Sequence, residues 1–251
     1  MGARPRLPEA ALEAAELNRS HGDAEAEAII RLSMDLFRHQ GGIAAISSFG
    51  ADSAVLLHMI SRIDASLPIV FLDTGQHFGE TLDYRDRLAE DLGLSNIINV
   101  SPLSLLTSES DPNGTLHSSD PDLCCSIRKV EPMARAVEPY AAWFTGRKRH
   151  QSQTRAEMPV FEAINGRIRI NPLAGWNTAD QAAYMRKHQL RENPLVAFGY
   201  FSIGCFPCTQ PVKPGEDSRS GRWAGAAKTE CGIHLSGLEN ALSSTPIRTT
   251  S

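Results

Sequence analysis

The cysteines are the residues whose spacing most strongly suggests chemistry. Cys124 and Cys125 are adjacent, Cys205 and Cys208 flank Phe-Pro, and Cys231 stands alone within Glu-Cys-Gly-Ile-His. Structural zinc sites usually take their thiolates from Cys-x-x-Cys-like pairs, which an adjacent pair does not supply, whereas iron–sulfur clusters accept thiolates from less regular loops. We therefore expect the first four cysteines to ligate an iron–sulfur cluster and the fifth to be a nucleophile.

Two other interpretations of the cysteines stay open. Cys124 and Cys125 also suit a buried apolar segment, because free cysteine behaves as a small hydrophobic residue. The spacing of Cys205 and Cys208 is equally that of a redox dithiol. Neither interpretation accounts for a pair, a Cys-x-x-Cys segment and an isolated cysteine in one chain, so the cluster is preferred.

The overall composition argues against several classes of partner. The 251 residues include 25 basic and 29 acidic side chains, a formal net charge of -4. No general attraction to nucleic acid or to an anionic membrane follows from that balance, so any anion must be bound by a local basic cluster. We find no apolar run of about 18 residues that would span a bilayer and no apolar secretion signal. An odd number of clustered cysteines is typical of a reducing compartment, which predicts a cytoplasmic protein.

The elements that must position these residues alternate between strand and helix. Apolar runs predict strands at 43–46, 69–72, 97–100 and 141–145. Helical patterns are predicted over 9–18, 24–39, 54–60, 79–92, from Cys124 to near Val137, and over 179–188 with Thr178 as its cap. The alternation predicts parallel strands with right-handed crossovers, and 101–121 is predicted to be a long surface loop.

One domain accounts for this order of elements. Residues 1–40 are predicted to contribute two helices that cover the α/β unit or form an oligomer surface. Residues 41–200 are the predicted nucleotide-binding unit, and 201–251 form a Gly- and Pro-rich tail with little periodicity.

Two short polar segments follow the first two strands. The loop from Ser47 to Ser53 offers small hydroxyl residues and Gly50, which allows close backbone approach, and it leads into a helix whose N-terminus favours an anion. It is neither a Walker loop nor Gly-x-Gly-x-x-Gly. Asp73-Thr-Gly75 ends the next strand. Each segment alone is also an ordinary connector or turn, but neighbouring strands bring both to one edge of the sheet.

Five segments together resemble one family. They are Ser-Phe-Gly-Ala-Asp-Ser at 48–53, Leu-Asp-Thr-Gly at 72–75, Cys-Cys-Ser-Ile-Arg-Lys-Val-Glu-Pro at 124–132, the basic stretch ending in Gln-Ser at 146–152, and Glu-Cys-Gly-Ile-His at 230–234. In this order, from about residue 43 to 235, they resemble the adenylyl-sulfate and phosphoadenylyl-sulfate reductases of assimilatory sulfate reduction.

The resemblance implies a fold and a nucleotide site. The fold is α/β and adenine nucleotide α-hydrolase-like (Rossmann-like), with a mostly parallel sheet, helices on both faces and an irregular C-terminal tail. The site combines a modified PP-loop, an adenosine-binding edge and the basic stretch, in which Lys148 replaces the usual first arginine and Arg149 keeps the second. The residues expected to bind substrate are Ser47, Ser48, Phe49, Gly50, Ala51, Asp52, Ser53, Asp73, Thr74, Gly75, Lys148, Arg149 and Gln151.

The resemblance also bears on the substrate. Family members that use phosphoadenylyl sulfate generally lack the paired cysteines and the Cys-x-x-Cys segment, whereas adenylyl-sulfate reductases carry both and hold a [4Fe-4S] cluster. This implies adenylyl sulfate as the substrate and Cys124, Cys125, Cys205 and Cys208 as cluster ligands. A phosphoadenylyl-sulfate reductase with the same mechanism is the alternative.

In the family, the cysteine of the Glu-Cys-Gly-(Ile/Leu)-His motif attacks sulfur and releases AMP. Cys231 is therefore the expected nucleophile, and a thioredoxin or glutaredoxin thiol then frees sulfite from S-sulfocysteine. Lys129 matches the lysine between cluster and substrate, and Arg219 and Arg222 match the arginine segment before that cysteine. Because thiols supply both electrons, we expect the cluster to be structural and electrostatic. A homo-oligomer is also implied.

Other polar residues are expected to play no part in the chemistry. Arg85, Arg87, Arg167 and Arg169 are predicted to lie on a solvated face, and His77 and His234 to be packing or motif residues. Two remote alternatives are a PP-loop enzyme that thiolates tRNA and a zinc- or cluster-stabilised interaction module. The first is disfavoured because the loop lacks a second glycine and the chain has no basic surplus.

Overall fold

A computed structural model of the chain describes residues 7–213, 215–223 and 232–234. Its strands are β1 (Ile43–Ile46), β2 (Ile69–Leu72), β3 (Ile97–Val100), β4 (Ala142–Thr145), β5 (Phe161–Ile164) and β6 (Arg167–Ile170). They form one six-stranded sheet in the order β3-β2-β1-β4-β6-β5, parallel except for the β5–β6 pair. The predicted mostly parallel α/β fold is therefore confirmed.

Helices surround this sheet. They are α1 (Leu7–His21), α2 (Ala26–Arg38), α3 (Ser53–Asp64), α4 (Gly79–Asp91), α5 (Ser104–Ser110), α6 (Leu116–Ser119), α7 (Pro121–Cys125), α8 (Glu131–Val137) and α9 (Thr178–Lys187). None of those within the described ranges is long and apolar enough to cross a membrane.

The two faces of the sheet bury separate apolar clusters. Successive strand residues point to opposite faces, so Ala45 and Phe144 pack in one cluster while Ala44 and Trp143 pack in the other. The first cluster includes apolar residues of α1, α2, α3, α4 and α9, and the second includes those of α8. Helices thus cover both faces, which explains why β2 is apolar throughout, β4 is apolar up to Thr145, and both strands are buried along their whole length.

The antiparallel β5–β6 hairpin was not predicted. Its turn is Asn165-Gly166, whose φ angles of 52° and 72° are the left-handed values of a two-residue hairpin turn. The α1 helix covers this hairpin, where the Asn18 amide donates to the Phe161 carbonyl (2.7 Å) and accepts from the Phe161 N–H (3.0 Å). The first N-terminal helix is therefore a cover, whereas a role in an oligomer stays a prediction.

Three local predictions need correction. The segment predicted to be a loop over 101–121 contains the short helices α5 and α6. Asn177, not Thr178, caps α9, because its side chain accepts from the N–H groups of Ala179 (2.8 Å) and Asp180 (3.0 Å). The helix after Cys125 passes through a π-helical turn at Ser126–Val130 before α8 ends at the predicted Val137.

Candidate functional site

A cavity of about 610 Å³ opens at the carboxyl ends of the central strands. Its lining includes Ser47 after β1, Thr74 after β2 and Gly146 after β4. The chain passes from β1 to β2 on one side and reaches β4 on the other side of β1, so the sheet order reverses between β1 and β4. Open α/β sheets bind ligands in the crevice at such a reversal.

The loop from Ser47 to Ser53, which we call the nucleotide loop, forms one wall of this cavity. Six of its seven residues line the cavity: Ser47, Ser48, Gly50, Ala51, Asp52 and Ser53. Phe49 instead turns inward, with its ring buried edge-on against Phe71 at a centroid distance of 5.8 Å. Its carbonyl accepts a hydrogen bond from the Asn193 amide (3.0 Å) and its φ is 48°. Phe49 therefore anchors the loop in the core.

Among Asp73, Thr74 and Gly75, only Thr74 lines the cavity. Gly75 adopts a φ of 70° and its N–H donates to the Asp73 carboxylate (3.0 Å), which shapes the turn. The Thr74 carbonyl accepts from the Arg128 guanidinium (2.9 Å), and the Thr74 hydroxyl lies 3.3 Å from the Cys205 sulfur. The turn is therefore connected to both cysteine-bearing segments.

Lys148 and Arg149, the two cations of the basic stretch that are predicted to bind substrate, do not line the cavity. Lys148 is fully buried, and its ammonium donates to the Asp52 carboxylate (3.2 Å) and the Gly146 carbonyl (3.1 Å). Burial lowers the pKa of Lys148, and the Asp52 charge opposes that shift. Arg149 donates to the Met158 carbonyl (2.9 Å). Neither cation lines the cavity, so their contact with a substrate stays a prediction.

Gln151 does line the cavity and joins this network. Its carbonyl oxygen accepts from the Lys148 N–H (3.1 Å) and the Arg155 guanidinium (2.6 Å), and its amide donates to Asp52 (3.3 Å). The nucleotide loop and the basic stretch are thus held together through Asp52.

Arg147, Arg155 and Arg169 also line the cavity, although the sequence analysis did not select them. All three are buried, and the expectation that Arg169 lies on a solvated face is wrong because it is only 3% exposed. Arg169 lies directly opposite Glu162 in the β5–β6 register, and that carboxylate binds both Arg169 and Arg147 (2.8 and 2.7 Å). An opposite-charge pair flanking Asn-Gly is a signal that could have revealed this arrangement.

The charges in this group perturb one another. Burial and the neighbouring Arg169 lower the pKa of Arg147 to about 10. Burial alone would raise the pKa of Glu162, but the hydrogen bonds and charge of Arg169, together with Arg147, hold it below its ordinary value. Glu162 is therefore an ionised carboxylate shared by two cations.

The cysteines come from two segments that pack together. Cys124 and Cys125 end α7, whereas Cys205 and Cys208 flank a short turn, and all four are free thiols. Cys125 and Cys208 share an apolar cluster with Trp223. Burial and the nearby Cys205 thiol raise the pKa of Cys124 to about 11. In the described part of the chain, no three His, Cys, Asp or Glu side chains are arranged so that they could hold a metal ion.

The predicted catalytic cations line the same cavity. Lys129 lies in the π-helical turn after the paired cysteines, and Arg219 and Arg222 come from the segment beyond β6 and α9. The Arg222 guanidinium stacks over the Trp223 ring at 4.4 Å. Cys231 lies outside the described residues, but Ile233, two residues later, also lines the cavity.

His77, which was predicted to be a packing or motif residue, packs against Phe71 and also lines the cavity. Its ring stacks on Phe71 at 4.7 Å, and Nε2 lies 3.0 Å from the Leu72 carbonyl. Burial lowers its pKa, which favours the neutral ring.

The chain is similar to known proteins over most of its length. It is 70% identical to an adenosine 5'-phosphosulfate reductase of Chelativorans sp. (strain BNC1), covering 95% of this chain and 98% of that protein. It is 64% identical to an adenosine 5'-phosphosulfate reductase of Mesorhizobium japonicum, covering 92% and 91%.

Solved structures agree with the fold. The crystal structure of the phosphoadenylyl-sulfate reductase from Candida auris, in a phosphate complex, aligns with a TM-score of 0.66 and 28% identity over 77% of this chain and 94% of that one. The Candida glabrata FMN adenylyltransferase in complex with ATP aligns with a TM-score of 0.53 at 18% identity, over 82% and 73%, which shows a shared fold alone. Residues 42–211 match the phosphoadenosine phosphosulfate reductase domain, so the chain belongs to that family.

Proposed function

We propose that this protein is an assimilatory adenylyl-sulfate reductase, which converts adenylyl sulfate and a reduced dithiol to sulfite, AMP and a disulfide. The observation that carries the proposal is one cavity lined by the nucleotide loop, by Lys129, Arg219 and Arg222, and by Cys205. An anhydride of phosphate and sulfate needs an anion-binding loop for one group and fixed cations for the charge that develops as it breaks.

Adenylyl sulfate is preferred over its 3′-phosphorylated form for two reasons. The relatives at 70% and 64% identity are named for adenosine 5'-phosphosulfate, whereas the Candida auris structure, at 28%, is named for phosphoadenylyl sulfate. The chain also carries both the cysteine pair and the Cys-x-x-Cys segment. Phosphoadenylyl-sulfate reduction by the same mechanism is the alternative.

The nucleotide is bound where the strand ends meet. The N-terminus of α3 follows the nucleotide loop directly and favours the phosphate, because its first N–H groups lack partners within the helix. The turn at 73–75 receives the adenosine. Gln151, which is hydrogen-bonded to Asp52 of the nucleotide loop, contacts the substrate beside that loop, and Lys148 and Arg149 support this wall from behind.

Cys231 performs the chemistry in this proposal. Its thiolate attacks the sulfur of adenylyl sulfate, a sulfur–sulfur bond forms, and the bond from sulfur to the bridging oxygen breaks with its electron pair leaving on AMP. Lys129, Arg219 and Arg222 stabilise that charge and favour the thiolate. The product on the enzyme is S-sulfocysteine.

A dithiol protein of the thioredoxin or glutaredoxin type completes the reaction. One of its thiolates attacks the Cys231 sulfur and expels sulfite with the electron pair, which leaves a mixed disulfide. Its second thiol resolves that disulfide, so two thiols are oxidised while one sulfate sulfur is reduced by two electrons. Both electrons come from the dithiol.

The four remaining cysteines supply the donor set of a [4Fe-4S] cluster, four thiols, although no three metal-binding side chains of the described part are arranged around one point. They are free thiols from two contacting segments, and three of them are buried. Cys124, Cys125, Cys205 and Cys208 would be the ligands. Held by these residues, the cluster would supply a fixed structural and electrostatic element, to which Lys129, in the turn that follows Cys125, would couple the substrate. A cytoplasmic location and a homo-oligomer are further parts of the proposal.

The deciding experiment measures sulfite release from adenylyl sulfate and from phosphoadenylyl sulfate with reduced thioredoxin. We expect turnover with a large preference for adenylyl sulfate, and a preference for the phosphorylated form would contradict the substrate assignment. Cys231→Ser should retain the iron and acid-labile sulfide of the wild-type protein and release no sulfite. Cys205→Ser, as the matched control, should lose iron instead.

A further inference from the structure

We propose that Arg147 and Arg169 form a second anion-binding subsite of the cavity, for a phosphate or sulfate group. The proposed function uses neither residue, so this inference goes beyond it. The two arginines are buried, with 7% and 3% of their surfaces exposed, and both line the cavity. They come from different elements, since Arg147 follows β4 and Arg169 lies within β6.

A single carboxylate serves both guanidinium groups. Arg147 Nη1 donates to Glu162 Oε2 (2.7 Å), and Arg169 donates to both oxygens through Nε and Nη2 (2.8 Å each). The Asn171 amide also donates to Oε2 (2.6 Å). Two positive charges therefore share one negative charge, and the carboxylate already accepts four hydrogen bonds.

Donor groups are left over on both arginines. Arg147 Nε and Arg169 Nη1 are buried and find no acceptor among the residues that the structure describes. Buried N–H groups are nearly always paired in folded proteins, and buried charges are usually balanced. The surplus of both donors and positive charge on the cavity wall is the feature that an anion would complete.

The chemistry of the donors defines the class of ligand. Guanidinium groups present planar forks of N–H donors that match tetrahedral oxyanions, and two of them from different strands can bind one such group together. Because the proposed function places the 5′-linked group at the start of α3, the anion here is a second phosphate on the same nucleotide or a free oxyanion. Both share the chemistry of phosphate and sulfate.

Calorimetric binding to the full chain, in chloride buffer of constant ionic strength, tests the subsite with three probes. They are inorganic phosphate, AMP and adenosine 3′,5′-bisphosphate. The variants are Arg147→Gln and Arg169→Gln, and Arg38→Gln is the matched control, because Arg38 pairs with Asp64 at 2.9 Å and does not line the cavity. No turnover is needed, so failure of the proposed reductase activity leaves the result interpretable.

We expect adenosine 3′,5′-bisphosphate or inorganic phosphate to bind each glutamine variant about tenfold more weakly than the wild-type protein, with the Arg38 control unchanged. A loss for bisphosphate alone identifies a second nucleotide phosphate as the ligand, and a loss for inorganic phosphate alone identifies a free oxyanion. An equal loss for AMP and bisphosphate would assign the two arginines to the first phosphate site and overturn the proposal of a second one.

The proposal is overturned if every probe binds the wild-type protein and the variants equally, or if no probe binds the wild-type protein. Arg147 and Arg169 would then be only a structural link between β4 and the hairpin. If Arg169→Gln or Arg147→Gln unfolds the chain, Arg147→Lys retains a cation for Glu162 and loses only the fork. Weaker binding of the probes to Arg147→Lys than to the wild-type protein then supports the subsite, and equal binding overturns it.

Discussion

The Asp52–Lys148 pair should respond very differently to the loss of its two members. Lys148 is fully buried, whereas the Asp52 side chain is 43% exposed. Removing Asp52 strands a buried cation that keeps, among the described residues, only the Gly146 carbonyl as its acceptor. Removing Lys148 leaves a carboxylate that water can solvate. We therefore expect Asp52→Ala to be far more destabilising than Lys148→Met.

The burial of Asp52 and Lys148 determines how much free energy of unfolding each substitution costs. Breaking a buried pair from one side costs about 3–5 kcal/mol, and the partial exposure of Asp52 places Asp52→Ala near the lower limit. Lys148→Met replaces the cation with an apolar chain of similar volume and should cost about 1 kcal/mol or less. Asp52 makes no side-chain cap bond to α3, so its removal loses no cap. Urea unfolding of both variants and of the double variant yields the coupling between them, expected at about 2 kcal/mol.

The pH dependence provides a second readout. Burial lowers the pKa of Lys148 below its unfolded value, and loss of Asp52 lowers it further. Between the folded pKa and the unfolded value of about 10.4, the unfolded chain binds more protons, so stability rises with pH. The deficit of Asp52→Ala should therefore shrink between pH 7 and about pH 10. The reasoning is refuted if Lys148→Met is the less stable variant, or if the deficit grows with pH.

Three further predictions test other parts of the structure. In Gly204→Ala the added Cβ would lie 2.4 Å from Arg222 Nη2 and would displace that guanidinium. The kcat/KM of sulfite release should therefore fall about 100-fold, with little change in Tm. Unchanged kinetics would contradict the position of Arg222. Gly166 has a φ of 72°, so Gly166→Ala should lower the free energy of unfolding in urea by about 1 kcal/mol. The control is Gly79→Ala, whose added Cβ has no atom within 4 Å and should not destabilise the protein. Equal effects of the two substitutions would argue against the hairpin turn. Asn177→Ala should lower the free energy of unfolding by about 1 kcal/mol, and no loss would contradict its capping role.

The central fold was predictable because its signals are local. The segments 43–46 and 69–72 are short apolar runs followed by small polar residues, which is the pattern of parallel strands covered on both faces. The hairpin was missed at Arg167-Ile-Arg-Ile because alternating charged residues resemble a solvated edge. In the structure Arg169 is buried, since Glu162 on the adjacent strand neutralises it. A cross-strand partner is invisible until the pairing register is known.

The candidate site was predictable to a similar extent. The nucleotide loop, Thr74 and the cations Lys129, Arg219 and Arg222 line one cavity. Each belongs to a short segment of the sequence that could be recognised without knowing the fold. Which member of the basic stretch faces the cavity was not predictable, because Arg147, next to Lys148 in the chain, lines it while Lys148 does not. Burial of a lysine beneath a loop depends on an acceptor at Asp52, which is 96 residues away.

Four of the cations in or behind the cavity walls show two different physical requirements. Lys148 is balanced by Asp52, and Arg128, beside the cysteine pair, is balanced by Asp111 at 2.8 Å. Such pairs hold the walls in place before any ligand binds, so the anion does not have to assemble them. Arg147 and Arg169 differ because they share a single carboxylate. In a chain of net charge -4, an unbalanced cation buried at a strand end is costly unless an anion completes it. That imbalance, and not the total number of arginines, is the feature that points to a second anion in the cavity.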